Sequence, residues 1–413
     1  MKTRALAVAA ATLLMGTAVV VLGTPGQAAS PTADPALAAK YGARWLGTQA
    51  QADGSYQLLS NPFSDTAVAA LALAAAGVDQ SQFQAAITYL HDHVGSFVAG
   101  GGNDDPGSLG LAIMAVVAAG QNPSNFNGQD LVATLKATRD KRVPGLYGSK
   151  DPSFDGATRQ SLGLMGLAGA GATDAPAVQW LQTQQCPDRG WQAFRSDTSA
   201  PCQPTDLTNF SGEDTNSTAV ATEALVAQGA TAPQGNPLDW LKGAQNADGG
   251  FGVLVGNATD ANSTGLVVQA IVARGESPTQ GRWVTSSGKT PDTALLALQV
   301  GCEGAAADRG AFAFQPDQSG ALKPNGYATA QALPGAAGKP FPLAATTPAQ
   351  GAPSIDCSPA ATTSTTATTP TTTASTAAGA AAPGAAQTPA TVAATTFSSP
   401  VAQAVSANPT FTG

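Results

Sequence analysis

The sequence has 413 residues, a formal charge of −8 and only 11% charged residues. An acidic chain of this kind is unsuited to the phosphate backbone of nucleic acids and to anionic membrane surfaces. With 43% hydrophobic but only 6% aromatic residues, and 46 glycines, its core has to be built from small aliphatic side chains.

The N-terminus opens with Lys2 and Arg4, an apolar run from Ala5 to Leu22, and a small-residue cleavage site at Gly26-Gln27-Ala28. Residues 1–29 read as the signal peptide of an exported protein. No other run is apolar enough over the length needed to span a membrane, so no transmembrane segment is expected after its removal.

From residue 30 to 343 two kinds of helix are expected to alternate. The first kind falls at about 36–49, 82–93, 127–139, 174–186, 236–246 and 290–301. Three of these carry one written-out unit. Trp45-Leu46 precedes Asp53-Gly54-Ser55-Tyr56, Trp180-Leu181 precedes Asp188-Arg189-Gly190-Trp191, and Trp240-Leu241 precedes Asp248-Gly249-Gly250-Phe251. A Gln stands between in each: Gln49, Gln184 and Gln245. The spacing predicts a helix end, a tight turn at the Asp, and an aromatic folding back onto the next layer.

The second kind starts at Asp65, Asp105, Asp155, Asp214, Asp260 or Asn325 and continues through small and apolar residues. Asp and Asn are good N-caps, and Gly77, Gly120, Gly229 and Gly275 stand where glycine C-caps belong. Helices apolar nearly all round are buried on every side. Six such helices ringed by six amphipathic ones make an all-α, closed α/α toroid of about six helical hairpins. Pro334 is expected to cut the last helix short.

Four cysteines in an exported chain predict two disulfides, and the local pairing is Cys186 with Cys202 and Cys302 with Cys357. From 344 to 413 Thr, Ala, Pro and Ser dominate, and this segment reads as a disordered stalk, which suggests a secreted or cell-wall-associated protein.

The Trp-Leu…Gln…Asp-Gly-Gly-Phe units resemble the QW-type repeats of the prenyltransferase and squalene-cyclase superfamily, and the stalk resembles that of its exported bacterial members. The resemblance spans roughly residues 36–343 and implies the α/α toroid fold. Its reactive branches imply residues that can be checked one by one. Class II cyclases use an Asp-x-Asp-Asp acid. The nearest match here is Gly102-Asn103-Asp104-Asp105, leaving Asp104 and Asp105 as weak catalytic candidates. Prenyltransferase zinc ligands have no counterpart: the only histidines, His91 and His93, lie two apart, on different faces of a helix. Gly301-Cys302-Glu303-Gly304 is not a thioester core, and no nucleophile elbow occurs. No metal or cofactor is expected.

The inner helices of such a ring run parallel, so their N-termini meet at one mouth. Asp65, Asp214 and Asp260 gather there, with Asn216-Ser217-Thr218 and Asn262-Ser263-Thr264 one turn deeper. The repeated Asn-Ser-Thr run exceeds what capping needs, and it is the expected binding site. The expected function is therefore an exported, non-enzymatic binding protein for a small molecule or a cell-surface partner. The alternatives are a divergent terpenoid cyclase or prenyltransferase-like enzyme and a structural wall protein.

Overall fold

The computed structural model describes residues 32–59, 61–148, 156–194, 202–209 and 211–358. The signal peptide, the Asp155 cap and the stalk beyond residue 358 lie outside the described residues. The folded body is one contact unit reaching Ile355; a second unit, 356–411, is described only over 356–358.

Among the described residues the protein is all-helical, with isolated bridges and no strands. The outer helices are α1 (Pro35–Gly47), α3 (Gln80–Ala99), α5 (Leu131–Ala137), α7 (Ala175–Thr183), α9 (Pro237–Ala244) and α11 (Pro291–Leu296). The inner helices are α2 (Pro62–Ala76), α4 (Pro106–Ala118), α6 (Ala157–Gly169), α8 (Thr215–Ala227), α10 (Ala261–Ala273) and α12 (Gly326–Ala336). Each inner helix packs on the next, and α12 packs back on α2. The fold is therefore the closed α/α toroid. Glycines set the closest approaches: a Cβ on Gly110 would lie 2.3 Å from the Leu162 carbonyl, and one on Gly265 2.7 Å from the Gln331 carbonyl.

The repeated turn explains the aromatic spacing. Gly54, Gly145, Arg189, Gly249 and Gly310 all adopt positive φ. Two residues later stand Tyr56, Tyr147, Trp191, Phe251 and Phe312, each fully buried. The backbone N–H of each donates to an inner-helix side chain: Thr66, Gln160, Thr218, Thr264 and Thr329, in that order. The turn glycines must be small because the next outer helix begins there. A Cβ on Gly249 would sit 2.6 Å from the Thr290 carbonyl, and one on Gly145 2.0 Å from that of Pro176.

The bridging glutamines are Gln245, Gln185 and Gln299. Gln245 donates to Gly249 O and Trp283 O, and Gln185 to Arg189 O and Gly235 O. Gln299 donates to Gly310 O and to Ala38 O of α1, joining the last hairpin to the first. The structure thus assigns Gln185, not Gln184, to the repeat position; Gln184 reaches only the neighbouring Thr183 hydroxyl. Trp45, Trp180, Trp191 and Trp283 are buried in the packing.

Three sequence expectations are corrected. Helix α2 starts at Pro62 under an Asn61 cap, so Asp65 lies inside its first turn. There the Asp65 carboxylate accepts the N–H groups of Leu58 and Leu59. Pro334 does not end α12, which continues to Ala336. Finally, residues 344–352, read from composition as stalk, pack on the ring. Thr346 N–H donates to Ala118 O at the end of α4, and Ala349 N–H to Gly77 O at the end of α2. Those last-turn carbonyls have no partner within their own helices, which is why a segment of small and polar residues can dock there.

Cys186 and Cys202 form a disulfide with a Cα–Cα distance of 5.7 Å. Cys302 and Cys357 are disulfide-bonded as well, and no cysteine is free.

Candidate functional site

The N-termini of the inner helices form a mouth whose polar groups are mostly bonded to one another. Asp214 and Asp260 cap α8 and α10, each accepting one backbone N–H, from Ser217 and Ser263, at 2.7 Å. Both carboxyls are buried, and burial pushes Asp214 up to about 6 and Asp260 up to about 7.

Cross-helix contacts then run around the ring. Ser64 of α2 meets Ser108 of α4 at 2.5 Å, and Asp105 at the start of α4 lies 3.9 Å from Arg159 of α6. Thr158 of α6 meets Ser217 of α8 at 3.0 Å, and Asn262 of α10 donates to Gln331 of α12 at 2.7 Å. Gln331 in turn donates to the Tyr327 hydroxyl. Burial first, and then the Asp65 charge, push that hydroxyl upward.

The predicted Asn-Ser-Thr residues fall within this belt. Thr218 and Thr264 are fully buried and hold the repeat aromatics Trp191 and Phe251. Ser263 donates to its own cap, Asp260, and Asn216 accepts from Thr215. Asn262 Oδ1 is buried and has no partner.

A cleft opens elsewhere on the same mouth, between α2, α3, α4 and α6. It has a volume of about 570 Å³ and is lined by Asn61, Phe63, Tyr89, His93, Phe97, Asp104, Asp105 and Arg159, with Gly100, Gly101 and Gly102 at its edge. None of the Asn-Ser-Thr residues lines it, nor do Asp65, Asp214 or Asp260; Asp104 and Asp105 do.

Its walls are built from stacked rings. Phe63 and Phe97 stack at 4.1 Å and 7°, and Tyr89 and His93 stack at 4.1 Å. Gly102 gives the Phe97 ring its room, since a Cβ there would lie 2.5 Å from the ring and push it aside. Asp105 accepts from the N–H groups of Gly107 and Ser108 and from the Ser108 hydroxyl, which fixes its carboxylate. Asp104 is exposed, and its side chain makes no bond among the described residues. His93 Nδ1 is bonded to Tyr89 O at 2.9 Å, and the residue lines the cleft. The sequence marked Asp104 and Asp105 as the nearest match to an Asp-x-Asp-Asp motif. Phe63, Phe97, Tyr89 and Arg159 carry no local signal, because three hairpins contribute them.

The site is unlike a carbocation cage. The six inner helices carry two aromatic side chains, Phe63 and Tyr327, both in first turns. Among the described residues no group of three metal-ligating side chains occurs.

No family model matches the sequence, and no curated protein is similar to it. Solved structures of similar shape include a protein from Actinoplanes, 17% identical, covering 74% of this chain and 99% of that one, with a TM-score of 0.43. The type II terpene cyclase MstE from Scytonema is 13% identical, with coverage of 74% and 99% and a TM-score of 0.49. The unsaturated glucuronyl hydrolase of Bacillus sp. GL1, responsible for the degradation of glycosaminoglycan, is 12% identical, with coverage of 74% and 95% and a TM-score of 0.47. At these identities the chemistry has to be read from this chain's own side chains.

Proposed function

We propose that the protein is an exported binding protein that takes a small polyhydroxylated ligand, such as a cell-surface saccharide unit, in the Phe97–Asp104–Arg159 cleft. The observation that carries this reading is the pairing of ring-paved walls with Asp104, Asp105, Arg159 and His93 in one open cleft. Ring faces suit the C–H faces of a sugar, while carboxylate and guanidinium groups match adjacent hydroxyls. The paired cysteines are compatible with an oxidising compartment, and no described helix is long and apolar enough to cross a membrane. The cyclase reading would need a carboxyl kept neutral in an apolar site. Asp104 is exposed and Asp105 faces Arg159, which argues against it.

The test is native mass spectrometry and titration calorimetry of the exported protein against a panel of soluble oligosaccharides. Binding that is weakened about tenfold or more by Tyr89→Ala and by Asp104→Asn is expected, which corresponds to a loss of about 1.4 kcal/mol. Asp104→Asn is informative because the Asp104 side chain caps no helix and bonds no neighbour among the described residues. Equal binding in both variants, or none across the panel, would overturn the reading.

A further inference from the structure

The far end of the ring, where the inner helices terminate, is crossed by the segment after α12. Residues 338–352 leave Ala336 and pass α8, where Phe341 N–H donates to Glu223 Oε2 at 3.1 Å. They continue past α6, where Pro342 lies against Gly169, and past α4 and α2, where they pair with Ala118 O and Gly77 O. They finish near α1, where Arg44 donates to Ala352 O at 3.1 Å. Leu343, within this strap, is buried in the ring's apolar core. The strap therefore forms a floor across the ring, fastened by hydrogen bonds to α8, α4, α2, α3 and α1, the α3 contacts coming from Gln80.

One fastening differs in kind. Glu223 lies midway along α8 and is 1% exposed, and among the described residues it forms no ion pair. The elements packed on α8 are α6, α9, α10 and the strap. Their titratable groups point elsewhere. Arg159 of α6 faces Asp105 at the opposite mouth, where Asp260 also lies. Asp239 of α9 pairs with Arg189 and Arg282, and Lys242 with Gln245. Arg274 acts on Glu276, and Lys339 of the strap is exposed. We propose that Glu223 is a proton-operated latch: neutral, it holds the Phe341 amide and the strap stays seated; ionised, it lifts the strap to reach water.

The direction follows from linkage. Burial raises the Glu223 carboxyl from 4.5 to about 8, partly offset by the Phe341 amide. Lifting the strap hydrates the group and returns it toward the ordinary value, so opening releases a proton. Opening should then increase by up to about tenfold per pH unit between roughly pH 5 and 8, and level off above that.

The experiment is hydrogen exchange read by mass spectrometry on the full exported protein from pH 5 to 9, corrected for intrinsic exchange. Peptides over 338–352 are compared with peptides from α4 and α10. The expected result is a rise in strap opening over that window steeper than the shared rise that the buried caps Asp214 and Asp260 impose on α4 and α10, and in Glu223→Gln, which keeps the acceptor but cannot ionise, a strap profile reduced to that shared slope. A flat strap profile in the unmodified protein overturns the latch, whether or not the variant folds. So does an excess strap slope retained in Glu223→Gln, or a strap slope no steeper than that of α4 and α10, which would report global unfolding.

Discussion

Thr264 offers the clearest separation between a structural and a ligand-facing role for the Asn-Ser-Thr run. Its hydroxyl accepts the Phe251 N–H at 3.1 Å, and both residues are fully buried. In Thr264→Val the shape is nearly kept, but the Phe251 N–H is left buried without a partner. Such an orphaned group costs about 1–3 kcal/mol, equivalent to a Tm lower by about 2–6 °C for a body of this size. Thr218→Val and Thr329→Val remove the same bond from Trp191 and Phe312 and should cost a similar amount. Thr88→Val, on the exposed face of α3, should stay within about 0.5 kcal/mol. Urea unfolding monitored by circular dichroism gives these differences directly. If Thr264→Val is as harmless as Thr88→Val, the repeat-anchoring argument fails.

Stability should fall as pH rises from about 4 to 7, because Asp214 and Asp260 bind protons in the folded state, near 6 and 7, that they release on unfolding. The urea midpoint should therefore be higher at pH 5 than at pH 8, and Asp260→Asn, which keeps the cap, should flatten that difference. Gly249→Ala combines positive φ with a Cβ 2.6 Å from the Thr290 carbonyl; a loss of about 2 kcal/mol or more is expected in the same assay. Arg189 holds the equivalent position at φ 89°, with only a half-exposed pairing to Asp239. Arg189→Gly should therefore leave stability unchanged or raise it by about 0.5–1 kcal/mol. Cys186→Ser with Cys202→Ser opens a bridge of sequence separation 16 and should cost about 3 kcal/mol.

What could be read from the sequence is what repeats locally. The turn-plus-aromatic unit and the glycine C-caps are short-range devices, and they held wherever the chain wrote them out. Even so, Asp65 was a misleading cap. The Asn61-Pro62 pair already supplies a capping oxygen and a preset first-turn φ, which frees Asp65 to bind the loop amides of Leu58 and Leu59. The cleft was visible only through Asp104 and Asp105. Its rings and its guanidinium come from α2, α3 and α6, and no periodicity within one helix relates Phe97 to Arg159.

The strap was missed for a different physical reason. Composition measures how much apolar surface a segment can bury, and by that measure residues 344–352 have little to gain from folding. A ring of parallel helices ends, however, in a circle of carbonyls that lack partners. At the opposite mouth the corresponding N–H groups are met by side chains: Asn61, Asp105, Asp214, Asp260 and Asn325. At the carbonyl mouth the Gln228 side chain reaches Leu164 O and Ala172 O beside the end of α6, while at the ends of α4 and α2 a backbone amide is the donor. Thr346 and Ala349 provide it from a strand that needs no hydrophobic face of its own. The two mouths therefore differ by necessity. The capped mouth can keep exposed polar side chains, as at Asp104, whereas the carbonyl mouth draws the segment after α12 across it, with Glu223 buried under the seal.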